Sequence, residues 1–163
     1  MNRRQIALKL AVGGLGLPFQ VDRFEDRLIL QKALYLAQAA GVHLGYHYQW
    51  YLYGPYSPSL TRDEYVVAEE PSQAPDESEG WTLDKESNKR LERLRGLIGR
   101  KQQAELAREL ELLASVHFLI TRKQVTRDND DEEIVGALRR FGKDFAEEDV
   151  ERARGELNEH GLL

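Results

Sequence analysis

Residues 27–60, RLILQKALYLAQAAGVHLGYHYQWYLYGPYSPSL, decide the fold, because they hold the strongest helix pattern, the strongest strand pattern and every tyrosine except Tyr65. Between positions 28 and 40, Ile29, Ala33, Leu36 and Ala40 form one apolar row at helical spacing, and Leu30, Leu34 and Ala37 form a second beside it. Only Gln31, Lys32 and Gln38 interrupt that surface. The pattern predicts a central helix buried on most sides and ended by Gly41. From Tyr46 the period becomes two, with Tyr46, Tyr48, Trp50 and Leu52 on one face and His47, Gln49, Tyr51 and Tyr53 on the other. These residues suit a pleated strand, which Gly54-Pro55 is expected to stop. Ser57 followed by Pro58 reads as an N-cap and first helical position, opening a helix to about Ala68.

Toward the N-terminus, Ile6, Leu8, Leu10 and Ala11 predict a short first helix over 3–12. Gly13-Gly14, Gly16 and Pro18 are expected to break it, and Asp22 to cap the central helix. The glycines have no preceding strand and no Gly-Lys-Ser/Thr after them, so a helix-ending loop is read in preference to a phosphate loop. Residues 69–80, EEPSQAPDESEG, carry five acids and no large apolar side chain, which predicts an exposed, mobile acidic loop. Trp81-Thr82-Leu83 would lead back to the core. Asp84 caps a helix with Leu91, Leu94, Leu97 and Ile98 on one face and Gly99 at its end. A long core helix runs from Gln103 to about Arg122, carrying Leu106, Leu110, Leu113, Val116 and Ile120. Residues 128–163 predict a helical pair, about 130–141 and 146–160, packed on the core with Phe145 plugged between.

A chain of 163 residues supports one domain with a sizeable core. It has no cysteine, which removes disulfides, thiolate metal sites and cysteine nucleophiles. No apolar run is long enough to span a membrane and none reads as a signal peptide, so a cytoplasmic protein without membrane attachment is expected. The net charge of -5 is segregated: residues 1–65 carry +2, 66–83 carry -5, 84–127 carry +5 and 128–163 carry -7. Such segregation suits attraction within the molecule or separate partners.

Few residues declare chemistry. His43 and His47 have a metal-ligand spacing, but Gly41 and Gly45 predict a turn there and no carboxylate completes a set, so no metal and no cofactor is expected. His117 falls on the apolar side of its helix, which favours a hydrogen-bonded core histidine over a catalytic base. No nucleophile elbow is present, and an enzyme is not expected. Tyr35, Tyr48 and Trp50 are read as core. His47, Gln49, Tyr51, Tyr53 and Tyr56 have the makeup of a partner-binding patch. With no Lys or Arg between residues 41 and 60, nucleic acid is a weaker candidate than protein. Lys32, in a helix that otherwise wants burial, is read in two ways: an ammonium paired with an acid or carbonyls of the 54–57 turn, or a head that snorkels to solvent.

Leu30-Gln31-Lys32, Leu34-Tyr35-Leu36 and Gln38, then Tyr51-Leu52-Tyr53-Gly54-Pro55-Tyr56-Ser57-Pro58, resemble the pattern of the Panacea (SocA-like) antitoxin domain and its YwgA-like relatives. The resemblance rests on Gln31, Lys32, Tyr35, Tyr53, Gly54, Pro55 and Ser57 and covers about a third of the chain. It implies a mostly helical fold and a protein that acts by binding a partner, as an antitoxin or as an adaptor delivering a toxin to a protease.

The combined expectation is a mostly α (α+β) single domain: a compact helical body around a buried central helix, a small β element, and a C-terminal helix pair resembling half of a winged helix. Its expected role is a non-catalytic protein-interaction module. The alternatives are a DNA-binding transcriptional regulator using the C-terminal pair and, third, a small enzyme using His47 or His117 among tyrosines. The second helix of that pair carries Glu147, Glu148, Asp149, Glu151, Glu156 and Glu159, which would repel phosphate.

Overall fold

The computed structural model describes residues 1–71, 74–99, 101–122 and 130–163. Among them it contains α1 (Arg3–Gly14), α2 (Phe24–Ala39), β1 (Gln49–Tyr51), β2 (Gly54–Tyr56), α3 (Pro58–Ala68), α4 (Lys85–Ile98), α5 (Gln103–Thr121), α6 (Asp131–Arg140) and α7 (Glu147–Glu159). The protein is therefore mostly α with a single two-stranded antiparallel sheet among the described residues. Residues 72 and 73 of the acidic loop, the 123–127 end of the basic stretch, and the first two residues of the 128–163 segment lie outside the described residues. No helix among the described residues is long and apolar enough to cross a membrane.

α2 and α5 form the most extensive helix pair, and α1, α3, α4, α6 and α7 complete one shared core. Leu30, Leu34 and Leu36 of α2 and Leu110, Leu113 and Leu119 of α5 all belong to that cluster and are nearly inaccessible to solvent. The apolar rows of 28–40 thus bury as their spacing predicts. Ser57 caps α3 with Pro58 next to it, and Asp84 caps α4 by accepting the Ser87 N–H at 2.9 Å. At the chain's end, Gly161 has φ 70° and the Leu162 N–H returns to the Leu157 carbonyl at 2.8 Å. Phe145 is buried between α6 and α7, as the plug reading expects.

Four expectations are corrected. Gly13 and Gly14 do not break α1 but form its last turn, where Gly14 lets Leu91 of α4 approach; a Cβ there would lie 2.7 Å from Leu91 Cδ1. Asp22 does not cap α2; Arg23 is the N-cap residue, and its N–H is taken by Asp26 at 2.9 Å. The acidic loop is exposed along most of its length but is not free, because Lys9 of α1 binds Glu70 and Asp76.

The fourth correction concerns the strand. Burial alternates from Val42 to Trp50 as period two predicts, yet only residues 49–51 pair, and they pair with 54–56. Gly54-Pro55 does not stop a strand; it begins the second one, after a turn at Leu52 and Tyr53. Upstream, the place of a neighbouring strand is taken by one side chain. Gln38 Oε1 accepts the Tyr46 N–H at 2.9 Å, and its Nε2 donates to the Tyr46 carbonyl at 2.8 Å. A helix side chain thereby satisfies the backbone that a strand ladder would otherwise have to satisfy.

Candidate functional site

Two glutamines seven residues apart, and so on one side of α2, grip the chain on both flanks of the hairpin. Gln38 holds Tyr46 before it. Gln31 holds Ser57 after it, accepting the Ser57 N–H at 3.0 Å and donating to the Ser57 carbonyl at 3.1 Å, with a further bond to Thr61 Oγ1 at 2.9 Å. Lys32, only 1% exposed, donates to the Pro55 carbonyl at 2.7 Å, so of its two readings the paired one holds. On the opposite side Gly54 lies against α5: its φ is +87°, and a Cβ there would fall inside contact distance of Ser115 Oγ. Tyr35 packs edge-on against Tyr48 with ring centroids 5.1 Å apart. Gln31, Lys32, Tyr35, Gly54, Pro55 and Ser57 thus all serve the seating of one hairpin and its flanks.

The seated hairpin leaves a groove of about 290 Å³ between itself, the start of α2 and α3. Its rim is Phe24, Tyr51, Leu52 and Tyr53, which are 46%, 54%, 68% and 44% exposed. Phe24 meets Tyr53 edge-on at 4.9 Å, and Tyr51 leans on Tyr56 at 5.4 Å. Leu28, Gln31 and Lys32 line the groove as well, together with Arg27 and Thr61. Tyr51, Tyr53 and Tyr56 of the expected patch are therefore brought together. His47 does not join them, and Gln49, exposed opposite Tyr56 in the ladder, does not line the groove. Their shared strand face ends because the chain turns after Tyr51. Phe24 and Arg27 are additions that the sequence reading passed over, lying one helical turn or more before the family-like motif.

Beneath the hairpin lies a charged cluster of mixed origin. Lys143, from the α6–α7 connection, is 5% exposed; it contacts Glu111 of α5 and donates to the Leu52 carbonyl at 3.2 Å. Its ammonium also lies 5.6 Å from the Tyr53 ring centre and 5.9 Å from that of Trp50. Burial pulls Lys32 down to about 7, Lys143 adds to the fall and Glu111 opposes it. Behind Gln31, Glu64 of α3 is fully buried, and neither carboxyl oxygen has a hydrogen-bond partner among the described residues. Burial pushes it up to about 8, against the opposing pull of Gln31 and Arg27. Its neighbour Asp63 is the contrast: Arg4, Gln5 and Tyr46 donate to it at 2.8, 2.9 and 2.9 Å, and these contacts hold it below its ordinary value despite burial.

His47 lines a second cavity of about 420 Å³ with Tyr35, Tyr46, Tyr48 and His117. This is where the histidine-and-tyrosine reading would place a reaction. His117, however, is engaged at both nitrogens. Since a carbonyl only accepts, Nε2–H donates to Leu162 at 3.1 Å, and Nδ1 accepts from the Tyr35 hydroxyl at 2.7 Å. Burial lowers the pKa of His117, keeping it a neutral tie between α2, α5 and the chain's last residues.

Removing the Gln31 grip tests the seating directly. Gln31→Leu would strand the N–H of a fully buried Ser57, whose carbonyl keeps the Thr61 N–H at 3.2 Å, and is expected to cost about 1 to 3 kcal/mol in urea unfolding. Amide exchange at Ser57 should accelerate by more than the global loss alone explains. Unchanged exchange there would show that the grip contributes nothing.

No family model, curated protein or solved structure matches the chain.

Proposed function

We propose that this chain is a non-catalytic protein-recognition module whose partner docks in the groove between α2 and the hairpin. One observation carries the reading: four large apolar side chains, Phe24, Tyr51, Leu52 and Tyr53, stand exposed around a concavity whose walls are locked by Gln31, Lys32 and Gly54. Leaving such a patch in water costs the free protein solubility, while a preformed wall spares a partner the entropy of ordering it. The sequence resemblance supports a specific role, that of a cytoplasmic antitoxin or proteolytic adaptor which tethers or occludes a toxin. The outer face of α7, where Glu147, Glu148, Glu151 and Glu159 are exposed, further supports protein over DNA as the partner.

The test is affinity capture from a native lysate with the intact chain and with Phe24→Ala/Tyr51→Ala/Tyr53→Ala, and then titration of the purified captured protein. These side chains are exposed, so the variant should keep its fold by circular dichroism. A partner bound by the intact chain and weakened by at least about a hundredfold in the variant is expected, since several aromatic anchors are removed together. A partner that ignores the three substitutions, or salt-sensitive recovery of nucleic acid instead, would overturn the reading.

A further inference from the structure

The groove has a charge that its walls do not balance. Among its lining residues are two cations, Arg27 and Lys32, and no Asp or Glu. Beneath it, Lys32 and Lys143 share one carboxylate, Glu111, which contacts Lys143 directly and attracts Lys32 from farther away. Lys32 has three N–H donors, and among the described residues a single acceptor, the Pro55 carbonyl, lies within hydrogen-bond distance. Glu64 of α3, close enough to Gln31 and Arg27 to feel both, is fully buried, and burial pushes its carboxyl up to about 8, toward the neutral form. Burial and Lys143 hold the Lys32 pKa down to about 7, and an anion brought from outside would draw it back into its charged form.

Apolar surface at the rim, with Lys32 in the lining beneath it almost wholly covered and its ammonium on the Pro55 carbonyl, imposes an order on whatever enters. The occupant must present hydrophobic surface to Phe24, Tyr51 and Tyr53 and carry a negative charge past them to Lys32. A mid-chain Asp or Glu that reaches in leaves the aromatic rim uncovered by its own side chain. A chain's last residue, when apolar, offers side chain and carboxylate from the same Cα, and only one strand of backbone has to leave the groove. Resting on the docking function proposed above, we infer that the groove receives the free C-terminal carboxylate of a partner chain, carried on an aromatic or large aliphatic last residue, with Lys32 as the anchoring cation and Arg27 at the entrance.

The experiment uses fluorescent short peptides with randomised upstream positions and Phe, Tyr, Trp, Leu, Ile or Val at the end, each made as the free acid and as the amide. Anisotropy titration against the intact protein should show free acids binding at least about tenfold tighter than their amides. Lys32→Met should shrink that acid-to-amide ratio toward one, while Phe24→Ala should weaken acid and amide alike. The amide comparison alters only the peptide, so it decides the matter even where a Lys32 variant folds poorly. Equal binding of acid and amide overturns the inference, as does equal binding by an amidated peptide with an internal glutamate, or no binding by any free acid. If a captured partner depends on the groove aromatics yet tolerates amidation or extension of its own C-terminus, the inference falls and the docking function stands.

Discussion

Gly54→Val is expected to destabilise the protein by about 4 kcal/mol, the sum of left-handed backbone strain and overpacking, each of which costs roughly 1 to 3 kcal/mol. Gly54 has φ +87°, a region that a β-branched residue avoids. Space is the second problem. The site for a Cβ is already taken by Ser115 Oγ, and Ser115 is fully buried on α5. The hairpin would have to lift, which would break the Lys32 bond to Pro55 and release Trp50 from Phe118 and Phe141, whose ring centres lie 5.7 and 4.6 Å away. The two causes separate in a double-mutant cycle. Ser115 Oγ has no hydrogen-bond partner among the described residues, so Ser115→Ala alone should change little. In that background the milder Gly54→Ala should cost about 1 kcal/mol less than in the intact protein, leaving only the backbone strain. Additive effects in urea unfolding would remove the packing half of the explanation.

The seating of the hairpin also shows where the sequence was legible. Helix positions came from apolar spacing and caps, both of which are local: Ser57-Pro58, Asp84 and Gly161 each act through bonds within a few residues. Tyr51, Tyr53 and Tyr56 were recognisable as a patch by composition. The hairpin was not, because Leu52-Tyr53 lacks the residues that mark a tight turn, and the glycine that signals it comes one position later. Gln31 and Gln38 looked like mere interruptions of an apolar surface, since nothing local says that a buried amide will find a backbone residue eight or twenty-six positions away. Lys143 had no signal at all; in a polar connection between two helices it reads as solvated. Glu64 did have one. It falls between Leu60 and Val67 on the buried stripe of α3, so helical phase alone marks it as inward-facing.

That buried glutamate governs the largest response expected between pH 4.5 and 8. Taking 4.5 for the unfolded chain and about 8 in the fold, the folded state holds the Glu64 proton more tightly, so this group's contribution is fully present below 4.5. It is lost as pH rises toward 8, amounting to about 4 kcal/mol over the whole interval. Two other groups have the opposite slope. His117, whose pKa burial lowers, costs stability when it must be protonated, so its contribution improves as pH rises through the ordinary histidine range. Lys32, lowered to about 7 from 10.5, likewise adds stability as pH rises between those values. The total curve therefore mixes trends, and the informative quantity is the difference between the intact protein and Glu64→Gln. The variant keeps the shape of the side chain and cannot ionise. Near pH 4.5 the two proteins should have similar stability, and by pH 8 the variant should be the more stable by several kcal/mol, approaching the full interval. A constant difference across that range would mean that Glu64 keeps an ordinary proton affinity in the fold. It would then add a real negative charge behind Arg27 and Gln31, and the excess of cations at the groove would shrink with it.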